Sequence, residues 1–198
     1  MLKRRIIPIQ LLANGRLVKT QQFGAYRDVG DPVKSSKVYN DQSADELVFL
    51  NISRERQTIE PLIEVLEAVS EVCFMPLAIG GGIREFAEAR RLILEGADKV
   101  VVNSVCYQHP EVITQIAAAF GSQAVIAAVD VRREAAGWTC WSDCGRERQP
   151  VAIEEHLGHL VEAGAGELLI NSIDRDGTMT GYDVELLALA VRTVPIPV

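Results

Sequence analysis

The chain has 198 residues, 48% of them hydrophobic, with a formal net charge of −7 and a sequence pI near 5.1. That length supports one large core or at most two small ones. The acidic balance excludes general nucleic-acid binding, which needs a basic footprint, but leaves room for a local phosphate site built from backbone amides.

Hydrophobic patterning predicts strands alternating with helices. Arg5 to Leu12 reads as a first strand, Asn14-Gly15 as a turn, and Leu17 to Phe23 as a short extended piece in a long loop. Asp31 is placed to cap a helix that opens at Pro32 and runs to about Ser43. Glu46 to Asn51 is the second strand, followed by a helix over Ile59 to Val72. Phe74 to Ile79 is the third strand, ending in Gly80-Gly81-Gly82, and Glu85 to Glu95 the next helix. Lys99 to Asn103 is the fourth strand, Pro110 to Phe120 a helix, and Ala124 to Val131 the fifth strand. Gly137 to Pro150 is a long polar insertion before a helix over Val151 to Ala163. The sixth strand, Glu167 to Ser172, carries the continuous apolar run Leu168, Leu169, Ile170, which suits a strand covered on both faces. Val184 to Arg192 is the last helix, and Pro195 to Val198 reads as the start of a seventh strand.

Alternating elements with short connections specify an α/β protein with a parallel sheet. The expected fold is a (β/α)8 TIM barrel, a single domain over residues 1–198, C-terminally truncated to about six βα units plus the start of strand seven. A complete barrel takes about 250 residues. A doubly wound open sheet is the structural alternative, although Gly80 to Gly82 is no dinucleotide fingerprint. An internal repeat supports the barrel: Ala44 to Phe49, Ala97 to Val102 and Ala165 to Ile170 follow one pattern, and Ile6-Ile7-Pro8 resembles Val125-Ile126-Ala127. Overlaying the halves sets Asp130 opposite Leu11.

In parallel α/β proteins, chemistry sits at the carboxyl ends of the strands. Asp174, Asp176, Gly177 and Thr178 crowd that end of the sixth strand, where an Asp-Gly-Thr turn can offer N–H groups to an anion. Gly81 and Gly82 with Asn103 and Ser104 end strands three and four; they form either a phosphate cradle or tight strand-to-helix turns with a capping serine. Asp130 ends strand five as a proton-transfer carboxylate or as a loop cap. Arg5, Glu46, Lys99 and Glu167 each stand immediately before an apolar strand run. They either solvate one end of the barrel or meet on its axis, where each charge has a partner.

These landmarks resemble the cyclase subunit of imidazole glycerol phosphate synthase. The matching stretches are Arg5 to Pro8, Asn14 to Lys19, Gly30-Asp31-Pro32, Asp45 to Leu50, Gly80 to Arg84, Gly96 to Val100, Asn103-Ser104, Val129-Asp130, Asp174 to Thr178 and Gly181-Tyr182-Asp183. They fall in order along the chain. The resemblance implies a β/α barrel that takes ammonia from a glutaminase subunit docked at the N-terminal face. No cofactor and no metal are expected. The ammonia would be used at the opposite face on a phosphorylated small molecule, giving imidazole glycerol phosphate and an aminoimidazole carboxamide ribotide. It further implies Asp130 and Lys19 as catalytic, and Gly81, Gly82, Asn103 and Ser104 as one phosphate site. Asp176 and Gly177 would be half of a second, Arg5, Glu46, Lys99 and Glu167 an ammonia gate, and Asp98 and Gln123 the glutaminase-facing positions.

One departure matters. The family's second catalytic carboxylate lies at the end of strand one, where this chain has Leu11. Leucine exchanges no proton, and neighbouring Gln10 should point to the other face of the strand. Losing a proton-transfer group typically costs about 10² to 10⁴ in rate. Leu17 to Thr20 and Asp176 to Met179 also depart from the usual wording and resemble a paralogous branch tied to surface-polysaccharide synthesis. That branch implies ammonia delivery for acetamidino-sugar formation. Three readings follow: the paralogous ammonia-using subunit, an authentic histidine-pathway cyclase, and an inactive scaffold for a glutaminase.

Lesser features complete the reading. Cys73, Cys106, Cys140 and Cys144 read as reduced thiols of a cytoplasmic protein, not as a zinc site. The basic start is followed by an apolar run broken at Pro8 and Gln10, so no signal peptide is expected, and no apolar run approaches a membrane span. His156 and His159 are expected on a wet helix face, and Trp138 and Trp141 over the core or in a lid.

Overall fold

The computed structural model describes residues 4–53, 58–135 and 137–198. The chain divides into two compact units, Met1–Lys19 with Arg27–Val101, and Thr20–Tyr26 with Val102–Val198.

The first unit holds strands β1 (Ile9–Ala13), β2 (Arg16–Lys19), β3 (Arg27–Gly30), β4 (Leu47–Asn51), β5 (Leu77–Gly80) and β6 (Lys99–Val102). Between them run helices α1 (Pro32–Asp41), α2 (Glu60–Ser70) and α3 (Phe86–Leu94). β1, β4, β5 and β6 are parallel neighbours in that order, and β2 and β3 add antiparallel strands beside β1. Parallel pairing follows from the helical crossovers between consecutive strands. α1 begins as its sequence predicts: Asp31 Oδ1 accepts from Lys34 N at 2.9 Å, and Pro32 occupies the first turn. α2 buries Leu62, Ile63, Val65, Leu66 and Val69 as one apolar stripe.

Register sorts the side chains of this sheet into two faces. Gln10, Phe49, Ile79 and Val100 share one face and are all buried. Gln10 Nε2 donates to Ser35 Oγ of α1 at 2.7 Å, so this face meets the helices. Leu11, Leu50, Gly80 and Val101 share the other face. A Cβ at Gly80 would lie 2.4 Å from the Val101 carbonyl oxygen, which explains the first glycine of the run.

The second unit holds α4 (Val105–Gln108), α5 (Glu111–Phe120), β7 (Val125–Glu134), β8 (Gly137–Ser142), β9 (Glu147–Arg148), α6 (Ile153–Ala163), β10 (Glu167–Ser172) and α7 (Val184–Thr193). β10 pairs with β7 in parallel, while β8 pairs antiparallel with β7 and then with β9. α6 stops at Gly164, whose φ of 108° lets Ala165 N reach Leu160 O. Asp183 Oδ1 caps α7 at Leu186 N.

The predicted strand-and-helix order is present, with instructive differences. Residues 5–8 are not strand, yet Pro8 O accepts from Val48 N and Ile6 O from Asp45 N, so this segment already runs beside the start of β4. Pro8 lacks an N–H, and Ile6 N turns to the Asp45 carboxylate at 2.7 Å. The polar insertion is a hairpin: β7 runs on to Glu134 and pairs with β8, burying Val131 and Cys140 on one face. Residues 195–198 form no strand, although Leu168 N donates to Pro197 O at 2.9 Å. His156 corrects another expectation: it is 4% exposed and stacks on Tyr107, centroids 4.1 Å apart, while His159 is exposed. Burial lowers His156 to a pKa of about 4.

Candidate active site

Asp130 organises the second unit. It lies in register with Asn171 of β10 and with Trp141 of β8, so all three side chains share one face of the sheet. Asn103 Nδ2 donates to Asp130 Oδ2 at 2.8 Å and Asn171 Nδ2 donates to Oδ1 at 2.8 Å. Each carboxylate oxygen thus has one amide donor. Asp130 is 5% exposed, and burial raises its pKa to about 6. The two amides oppose that rise and the nearby Asp176 charge adds to it.

Tyr107 of α4 and Cys140 of β8 lie within reach of this carboxylate's charge, Cys140 on the opposite face of the sheet. Burial pushes the Cys140 thiol up to about 11 and the Tyr107 hydroxyl well above its usual range, so both stay protonated at neutral pH. Asn103 Oδ1 is buried with no hydrogen-bond partner among the described residues.

Asp176 and Gly177 shape the loop after β10. Asp176 Oδ2 accepts from Thr20 Oγ1 at 2.6 Å and from Phe23 N at 3.2 Å, and Asp176 O accepts from Gln22 N at 2.9 Å. A Cβ on Gly177, at φ 66°, would lie 2.2 Å from Thr20 O. These residues latch segment 20–26 to the end of β10. A carboxylate repels a phosphate, and what Asp176 holds here is the backbone and hydroxyl of segment 20–26. Ser104 Oγ accepts from Asp143 N at 3.0 Å, tying the start of α4 to the loop between β8 and β9. Glu167, half-buried at the head of β10, shares the Asn171 face four residues away, about 13 Å along the strand. Gln123 is exposed, and its Nε2 donates to Phe120 O at 2.9 Å.

In the first unit, Leu11 is half-buried in register with Val18 and Leu50. Lys19 ends β2 with its side chain exposed. Gly81 and Gly82 follow β5 at φ 99° and 82°. A Cβ at Gly81 would meet Asn51 O at 2.1 Å, so close backbone approach requires that glycine. Glu46, 3% exposed, takes Lys99 Nζ at 2.7 Å and Arg5 Nη1 at 3.1 Å on the same oxygen, Oε2. Asp98 is exposed, and its Oδ2 accepts from Leu77 N at 2.8 Å, pinning the start of β5. Among the described residues, no group of three or more His, Cys, Asp or Glu side chains is placed to hold a metal, and no helix is long and apolar enough to cross a membrane.

Residues 5–198 match the family described as histidine biosynthesis protein. The chain belongs to that family. It is 43% identical over 200 residues to imidazole glycerol phosphate synthase subunit HisF of Caulobacter vibrioides, covering 100% of this chain and 77% of that protein. It is 41% identical over 199 residues to subunit HisF of Gluconacetobacter diazotrophicus, with the same coverage. The resemblance to the synthase cyclase subunit is therefore borne out: the chain is HisF-like. Family membership carries the TIM-barrel fold class, and both units show its parallel β/α pattern.

Sequence reasoning missed Asn171 as a partner of Asp130 and Thr20 as a partner of Asp176, and it placed Trp141 only over the core or in a lid. Asn171 was within reach, because period-two alternation from Glu167 sets it on the same face. The place of Trp141 opposite Asp130 was hidden by reading Gly137 to Pro150 as a polar insertion.

Proposed function

We propose that this chain is an ammonia-using synthase subunit that works with a glutaminase and passes the nitrogen to an acceptor other than the cyclase substrate. The observation that carries this reading is that the chain keeps Asp130 but has Leu11 where the resembled family has its second carboxylate. Asp130 is buried, held by two amides, and ionised at neutral pH, with a pKa of about 6. It suits taking the proton that ammonia sheds when its nitrogen bonds to carbon. Leu11 stands with Val18, Leu50 and Gly80 in its neighbourhood, none of which exchanges a proton. Ring closure needs proton transfer on two sides of the substrate, and one of the two groups is missing.

In this reading Arg5, Glu46, Lys99 and Glu167 gate ammonia entry. Asp98 and Gln123 belong to the glutaminase face, and Lys19 is catalytic alongside Asp130 in role. Gly81, Gly82, Asn103, Ser104 and the Asp176-Gly177 loop help hold a phosphorylated substrate. The acceptor is an acetamido sugar carried to the acetamidino level after an ATP-using protein activates its oxygen. The Leu17 to Thr20 and Asp176 to Met179 wording supports that branch. A second reading, the authentic cyclase, draws on the 43% and 41% identity to the two HisF subunits.

The deciding experiment is ammonium-dependent turnover of the formimino-linked carboxamide ribotide at saturating ammonium, without glutaminase. No turnover by the folded protein, with a gain of about 10² or more in Leu11→Asp, supports the proposal. Turnover at the rate of the Caulobacter subunit overturns it in favour of the cyclase. A glutaminase complex that makes neither product leaves the scaffold reading.

A further inference from the structure

Beyond Asp130, the same face of the hairpin carries a cation that the proposed reaction has not used. Arg132 lies two residues further along β7, about 7 Å away, with its side chain on the Asp130 face. Its guanidinium carbon sits 4.5 Å above the Trp141 ring centroid. Trp141 is fixed in turn: its Nε1 donates to Thr139 Oγ1 at 2.9 Å, and Thr139 Oγ1 donates to Arg132 O at 3.2 Å. These three contacts close a loop from the Arg132 backbone through Thr139 and Trp141 to the Arg132 side chain, so the guanidinium is held before any ligand arrives.

The adjacent residue supplies a contrast. Arg133 lies on the opposite face, its guanidinium carbon 4.8 Å above the Trp138 ring centroid, and it also pairs with the Glu185 carboxylate. Among the described residues, Arg132 has no carboxylate partner. In a chain of net charge −7, a pre-oriented guanidinium lacking an anion, on the face of the candidate catalytic carboxylate, is an acceptor for one. A guanidinium seated over an aromatic ring keeps N–H groups to offer, and its planar fork can take two oxygens of a phosphoryl group. Asp176 cannot serve this purpose, since its carboxylate is anionic and already bound to Thr20 and Phe23.

We propose that Arg132, seated on Trp141, binds a phosphoryl group of the substrate beside Asp130. The proposal rests on the reading of a phosphorylated substrate at this face, but its test needs no turnover. The chain contains two tryptophans, so its indole N–H region should show two signals, and Trp138→Phe assigns that of Trp141. Inorganic phosphate would be titrated at constant ionic strength into the ¹⁵N-labelled protein, with thermal melting as a check on folding. The expected result is a saturable shift of the Trp141 indole signal in the millimolar range. Arg132→Gln should weaken the fitted affinity about tenfold or more, and Arg132→Lys, which keeps the charge but not the fork, should weaken it less. Arg133→Gln should leave it unchanged. An indifferent Trp141 signal in the folded protein overturns the proposal. So does an affinity that survives Arg132→Gln or, should that variant not fold, one identical in Arg132→Lys. Phosphate binding without ammonia-dependent chemistry would sink the functional reading and leave this one standing.

Discussion

Asn171 stands directly opposite Asp130 on the neighbouring parallel strand and donates its amide to Oδ1 at 2.8 Å. Burial drives the Asp130 pKa up, and this bond is the larger of the two that restrain it, ahead of Asn103. Asn171→Leu removes the restraint without adding charge, so Asp130 should titrate above about 6 and lose ionised fraction at neutral pH. The carboxyl ¹³C shift of Asp130, followed from pH 4 to 9, reads this directly. Asn171→Asp should raise the midpoint further, because two carboxylates would then face each other. An unmoved midpoint in Asn171→Leu would mean that Asn103 alone sets it.

The raised pKa also fixes the sign of a stability effect. The native chain binds a proton at Asp130 near pH 6, whereas the unfolded chain does so near the ordinary aspartate value of about 3.9. Above about pH 6 the carboxylate is ionised in both states and its burial cost is fully present. As pH falls from about 6 to about 4, the native state takes up the proton first and that cost is relieved. Asp130→Asn removes the charge at every pH. Its new amide needs an acceptor, and Asn103 supplies one by turning its unpartnered Oδ1 inward. The variant should therefore exceed the wild type in stability at pH 8, by at most about 3 kcal/mol, and lose that advantage by pH 4. Denaturant midpoints at several pH values test this; a difference constant with pH would refute it.

Glu46 binds two cations through one oxygen at the head of β4. Glu46→Leu leaves Arg5 and Lys99 without that anion in a partly buried setting, and should cost about 3 kcal/mol or more. Lys99→Met leaves Glu46 its bond to Arg5, whose side chain is 39% exposed and solvates readily. It should cost less than half as much. Urea unfolding of the two variants decides, and equal losses would mean that the Arg5 contact contributes nothing.

The parallel core was legible because its signals are local. Continuous apolar runs mark β4, β5, β6 and β10, and Asp31-Pro32 marks the start of α1. The hairpin was not legible. Residues Gly137 to Ser142 alternate as a strand should, but the charges around them read as a solvated loop, and only pairing with β7 buries Cys140. His156 misled for a related reason: its partner Tyr107 lies 49 positions earlier, on the short helix α4 that no pattern announced. Within the site, Asp130 was legible as a polar residue at a strand end. Its tuning by Asn103 and Asn171 was not, because that tuning depends on register between separated segments.

Register of that kind also joins segment 20–26 to the loop after β10, and two variants separate its parts. Gly177→Ala drives a Cβ into the backbone carbonyl of Thr20, which no side-chain rotation relieves, at a φ of 66° that disfavours alanine. The segment should be displaced as a whole, and the Gln22 and Phe23 amides should both lose protection from hydrogen exchange. Asp176→Ala keeps the backbone bond from Gln22 N to Asp176 O but removes the acceptor for Phe23 N and Thr20 Oγ1. Phe23 should then exchange about tenfold faster or more, with Gln22 affected less. The amides of β10 should be unchanged in both variants. Their acceleration in step with Phe23 would mean global destabilisation and not a released latch. Asp176→Ala carries a second readout: removing a charge that raises the Asp130 pKa should lower the midpoint of Asp130. The latch and the acid would then be linked through one side chain, so that opening segment 20–26 and retuning Asp130 are coupled events.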